Sequence, residues 1–116
     1  MNLAELRETS LSISDLVKEI KNPHRSYPTC LIINEIGIAC LCNEGGKNEG
    51  EKALLSLLEH DDQRHRFIAF SMISLMPRLM QEKASILEAF RKNPDNQDFL
   101  EITDQKIKEF KDQFGL

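Results

Sequence analysis

Leu58-Glu59-His60-Asp61-Asp62-Gln63-Arg64 closes one leucine-rich segment and opens the next, and a phrase of the same kind stands on either side of it. Ile20-Lys21-Asn22-Pro23-His24-Arg25 comes before, and Phe90-Arg91-Lys92-Asn93-Pro94-Asp95-Asn96 comes after. The anchors Ile20, Leu58 and Phe90 are 38 and 32 residues apart. Stacked two-helix units repeat at about that period, each burying its apolar side against the next. The chain therefore reads as all-α: about six helices in three antiparallel pairs, stacked in a short right-curving array with polar outer ends.

Composition agrees. The 116 residues suffice for one domain with one continuous core. Aromatic residues make up 6% with no Trp, so the core must be built from Leu, Ile, Met and Ala. Gly and Pro are few and grouped between segments rather than within them. A net charge of −4 argues against broad nucleic-acid binding, which needs clustered positive charge to displace counterions, although it leaves room for a local basic patch. No apolar run approaches the ~20 residues of a membrane span. No basic stretch followed by an apolar one opens the chain, so no secretory signal is expected. Cys30, Cys40 and Cys42 are odd in number and lie in apolar segments, which suits reduced, buried thiols in a cytoplasmic protein.

Along the chain, residues 1–11 form a lead-in. Ser12 is placed to cap a helix carrying Ile13, Leu16, Val17 and Ile20 on one side, stopped at Asn22-Pro23. Residues 29–42 are apolar almost all round and admit two readings, a buried helix led by Pro28 or a hairpin turning at Asn34-Glu35. The helix is preferred because it fills the second slot of a repeat; Gly37 within it would then mark a close helix–helix approach. Residues 43–50 read as a flexible Gly-rich connection, lacking the Gly-Lys-Ser/Thr ending of a phosphate loop. A helix over 51–59 and its partner from Arg64 to Leu75 follow, the latter so apolar that it is expected at the centre of the domain. Pro77 opens a helix running through Phe90, and a last helix from Asp95 or Asn96 carries Leu100, Thr103, Ile107, Phe110 and Phe114 inward, ending at Gly115. On its outer face Asp104 and Lys108 are spaced for a weak pair.

Leu54, Leu55 and Leu58, the turn His60-Asp61-Asp62, and then Arg64, Arg66 and Ala69 resemble the HEAT-like helical repeat, in which a leucine-rich helix ends in an acidic turn and an arginine and an alanine follow early in the partner helix. The third unit matches in length and turn but has no arginine at the place of Arg66, and the first matches only in length and its Asn-Pro stop. The resemblance implies an α-solenoid that binds a protein partner, with no catalytic residues. It also implies that Arg64 and Arg66 tie neighbouring repeats together through Asp61 or Asp62.

Two other chemistries compete. His60-Asp61 resembles the doublet of HD-type metallophosphohydrolases; His24 would supply a further ligand and Asp95, Asp98 or Asp104 the distant carboxylate around a water-activating divalent ion. Capping alone explains aspartates in such a turn, so no metal or cofactor is expected. Arg64, Arg66, Arg78, Arg91 and Lys92 are the one positive accumulation, without the interleaved aromatics of a single-strand binder. Cys40-x-Cys42 lacks zinc-knuckle spacing, and Met72, Met76 and Met80 read as core filler. The leading expectation is a non-enzymatic interaction or adaptor module using a face built from the second helices. A homodimer covering an open end is plausible on the same reasoning.

Overall fold

The computed structural model describes residues 2–22 and 27–116. The described chain is helical with no strand: α1 (Ile13–Lys21), α2 (Thr29–Leu41), α3 (Lys47–Leu57), α4 (Gln63–Ile73), α5 (Pro77–Glu82), α6 (Ala84–Lys92) and α7 (Leu100–Phe114). Short 3-10 turns occupy Leu3–Leu6 and Pro94–Asn96. No described helix is long and apolar enough to cross a membrane.

The segment with two readings is helix α2. Its apolar residues are covered on nearly every side: α1, α3 and α4 all pack on it, and Ile32, Ile33, Ile36, Ile38, Ala39 and Cys40 are buried. A hairpin would leave such a segment with edge groups to satisfy, whereas a helix satisfies its own backbone while three neighbours bury its side chains. At Gly37 α4 comes close, the missing Cβ leaving the space that Met72 fills. The centre of the domain is thus shared by α2 and α4 rather than held by α4 alone. On α4, Phe67, Ala69, Phe70, Met72 and Ile73 are buried while Ile68 and Ser71 remain half-exposed.

Like helices stack on like. Cys30 at the start of α2 lies by Arg64 at the start of α4, and further along Gly37 meets Met72, 35 residues on. Ile13 of α1 touches the position of Gly50 in α3, 37 residues on, and Val17 and Ile20 continue alongside Ala53 and Leu57. Phe67 of α4 meets Phe99, 32 residues on, and Ser74 shares a hollow with Ile107 of α7. Each of these pairs therefore runs in the same direction.

Three boundaries differ from expectation. The connection after α2 is shorter than 43–50, because Lys47–Gly50 form the first turn of α3. Gly46 adopts φ +88°, a left-handed conformation open to glycine, and Gly50 lies buried where a side chain would strike Cys40 Sγ. The helix opened by Pro77 divides at Lys83 (φ −115°, ψ 26°), so the described residues form seven helices instead of six. The bend falls between Gln81 and Ser85, a turn with no large apolar side chain, so that Leu79 and the Leu87/Phe90 pair dock separately. The last helix starts at Leu100 rather than Asp95 or Asn96. Those residues belong to a 3-10 turn capped by Asn93, in which Asn96 is buried and donates from Nδ2 to Phe90 O. Other local signals act as read: Ser12 accepts from Asp15 N, Pro77 sits at the first turn of α5, and Gly115 ends α7 at φ +67°.

Residues 7–12 are strapped to α2 by Glu35, whose carboxylate is fully buried. It accepts from Glu8 N, from Thr9 N (2.8 Å) and Thr9 Oγ1 (2.9 Å), and from Arg7 Nη1 (3.2 Å). Arg7 also reaches Glu44, tying the strap to the turn before α3.

Candidate functional site

The turn between α3 and α4 holds the residues of greatest chemical interest in the sequence. Asp62 caps α4: its Oδ1 accepts from Arg64 N at 2.9 Å and its Oδ2 pairs with Arg64 Nη2 at 3.2 Å. The Arg64 bonds hold the Asp62 carboxyl down at about 2, below its ordinary 3.8. Arg66 turns the other way. Its Nη1 donates to the carbonyls of His60 (2.9 Å) and Asp61 (3.1 Å), and its Nε donates to Asn96 Oδ1 at 3.1 Å. Arg66 thus bridges this turn to the one before α7, through an amide and two carbonyls and not through the carboxylates of Asp61 or Asp62. Arg64 stays on its own turn. The carboxylate of Asp104 pairs with Arg91 at 2.8 Å across α6 and α7 rather than with Lys108.

The metal reading gains nothing from this geometry. His60 Nδ1 accepts from Asp62 N at 2.9 Å, which commits that lone pair. His24 lies outside the described residues. Among the described residues no three His, Cys, Asp or Glu side chains converge where they could hold an ion. His65 packs edge-on against His60 with ring centroids 4.6 Å apart, and its Nδ1 is buried with no hydrogen-bond partner among the described residues. Burial lowers the pKa of His65, partly opposed by Asp62.

The positive accumulation is dispersed into ion pairs. Arg78 binds Glu51 (2.7 Å) and Glu82, Arg91 binds Asp104, and Lys92 binds Glu88. Arg91 also lies 5.0 Å over the Phe70 ring, which stacks on Phe90. The three cysteines are free. Cys40 alone is buried; burial, with the nearby Glu51 charge, pushes its thiol up to about 12.

A different surface stands out on the second helices. Between α4 and α7, closed at one end by Cys30 of α2, lies an open groove of about 370 Å³. Phe67 and Ile68 line it from α4. Phe99 and Ile102 form its far wall and remain 44% and 56% exposed, among the most exposed large apolar residues of the chain. Arg64 and Lys106 stand on its rim, and among the described residues no acidic side chain lines it. These residues were missed in the sequence because Leu100, Thr103, Ile107, Phe110 and Phe114 already offer an inward stripe for α7, of which Thr103 and Ile107 are buried and Leu100 and Phe110 pack partly on the core. The signal was present: Phe99, Ile102 and Lys106 form a second stripe beside the first, at steps of three and four. A larger hollow of about 550 Å³ lies between α1 and α3, but its rim alternates Lys21 and Lys52 with Glu49 and Glu59.

No family model, curated protein or solved structure matches the chain.

Proposed function

We propose that the chain is a non-enzymatic protein-interaction module, a short HEAT-like stack of helix pairs that binds a partner across the face of its second helices α2, α4 and α7. One observation carries this reading: Phe99 and Ile102 stay exposed beside Phe67 in a groove on that face. Exposed apolar side chains gathered in a concavity, rather than scattered singly, mark places where another surface docks. The same-direction stacking of α1 on α3, α2 on α4 and α4 on α7, with register steps of 37, 35 and 32 residues, supports the solenoid part of the reading. The Arg66 bridge to Asn96 gives adjacent units a fixed relation, so that the groove has a set width. A reducing, cytoplasmic setting accords with three free thiols.

Photo-cross-linking from a benzoylphenylalanine placed at position 102 tests it in cells that naturally express the chain. A discrete protein adduct from position 102, and none from position 53 on the α1–α3 side, is the expected result. Adducts from position 53 alone, or from neither position, would remove the second-helix face as the binding surface.

A further inference from the structure

We infer that the groove between α4 and α7 receives an amphipathic helix of a partner protein, with an acidic residue at each end of its apolar stripe. The inference rests on the interaction-module reading and deepens it by naming the occupant.

Charge is the first ground. The chain carries a net charge of −4, yet the groove is lined by Arg64 and Lys106 with no Asp or Glu. Asp62 takes up one Nη2 contact of Arg64, whose side chain is still 79% exposed and has further donors to offer. Repulsion from the distant acidic surface is screened beyond about 8 Å at physiological ionic strength; Asp62, at 3.2 Å, offsets part of the Arg64 charge, and Lys106 at the other end adds a second positive charge to the rim.

Placement is the second. Because α4 and α7 run the same way, with Phe67 beside Phe99 and Ser74 near Ile107, Arg64 and Lys106 stand at opposite ends of the groove. At 1.5 Å per helical residue they are separated by about 14 Å along it. Between them, among the described residues, lie Phe67, Ile68, Phe99, Ile102 and the small side chains of Ser71 and Thr103. An occupant must therefore be apolar over about two helical turns and acidic at both ends.

Backbone chemistry is the third. Apart from the turn residue Phe99 at one end, both walls are helices, so among the described residues no strand edge runs along the groove for an extended segment to pair with. Ser71 Oγ donates to Phe67 O at 2.7 Å, within its own helix. Side chains alone must make the contact, which is the manner of a helix laid in a groove.

The test uses a display library of 15-residue helical peptides sorted against the full chain. Expected winners carry an apolar stripe with Asp or Glu at both ends, lose at least tenfold in affinity on an Arg64→Glu/Lys106→Glu double variant, and fail to bind Ile102→Asp. Circular dichroism on these variants, altered only at exposed positions, checks that the fold is intact. Re-sorting the library on the charge-swapped double variant should return Lys or Arg at the ends. Groove-binding winners without acidic ends, or extended proline-rich ones, would sink the acidic helix while leaving the interaction module standing. Absence of any groove-binding peptide, together with no adduct from position 102, would sink both. Self-association abolished by Ile102→Asp would make a second copy the occupant and overturn the inference.

Discussion

Met72 fills the space that Gly37 leaves by having no side chain: a Cβ on Gly37 would overlap Met72 Cγ and Sδ and lie 2.8 Å from Met72 Cβ. The Met72 Cβ cannot swing away as a flexible side-chain tip would, so the strain must move the helices. Replacing Gly37 with Ala gains up to about 1 kcal/mol of helix propensity. Overpacking costs about 1–3 kcal/mol. We predict net destabilisation of about 1 kcal/mol by urea unfolding. Met72→Ala alone leaves a cavity costing about 2–3 kcal/mol, and the double variant should be more stable than the sum of the two by about 1 kcal/mol. Strict additivity would show that the two side chains do not share this space.

Glu35 gives a second prediction. Its buried carboxylate gathers the Arg7 guanidinium, the amides of Glu8 and Thr9, and the Thr9 hydroxyl. Glu35→Gln keeps the shape but removes the charge and turns an NH2 toward donors. Breaking a buried, hydrogen-bonded pair from one side costs about 3–5 kcal/mol. The strap over residues 7–12 should then exchange its amide hydrogens faster and become open to trypsin after Arg7, while α4 keeps its protection. Unchanged exchange at Glu8 and Thr9 would contradict this.

Why Glu35 was not legible in the sequence, while Asp62 was, is a matter of where the partners come from. A cap works within three residues of its helix, so Asp62 before an apolar run announces itself. Two of the four partners of Glu35 are main-chain amides 26 and 27 residues away, and an amide carries no side-chain identity to read. Helix α2 was readable as buried from its apolar content, and Gly37 as a close approach, because both are statements about one element. The break at Lys83 and the early start of α3 at Lys47 were not, because each depends on which neighbour an apolar side chain finds. The groove fell between these cases. Ile102 and Phe99 lie on a second stripe that only the path of α4 turns into a surface.

Asn96 is the hinge of a third prediction. It is buried, its Oδ1 accepting from Arg66 Nε and its Nδ2 donating to Phe90 O. Asn96→Ala leaves both partners short of a bond in a place water scarcely reaches, at about 1–3 kcal/mol. Arg66→Lys should be milder but not neutral, since one ammonium does not reproduce the fork that spans two carbonyls and an amide. If the two variants combined cost no more than Asn96→Ala alone, the bridge acts as one unit. Full additivity in thermal unfolding would mean that the bond between them contributes nothing.

Acid should destabilise the chain in two windows, and different residues set them. Burial lowers the pKa of His65 below its ordinary 6.5, so between the two values the unfolded chain binds more protons than the folded one. Stability is then complete above about pH 6.5 and falls as the pH drops through the lowered folded value. The groups facing the ring decide how far: Asp62 favours the charged form, whereas His60 and Arg64 oppose it. Asp62 acts in the other window. Its folded pKa of about 2 against 3.8 means that its stabilisation persists above pH 3.8 and is lost only as the pH falls toward 2. His65→Phe should flatten the fall of the thermal midpoint that begins below about pH 6.5, while leaving the deeper acid transition in place. Asp62→Asn should do the reverse, and a His65→Phe chain that kept the upper slope would assign it to another group.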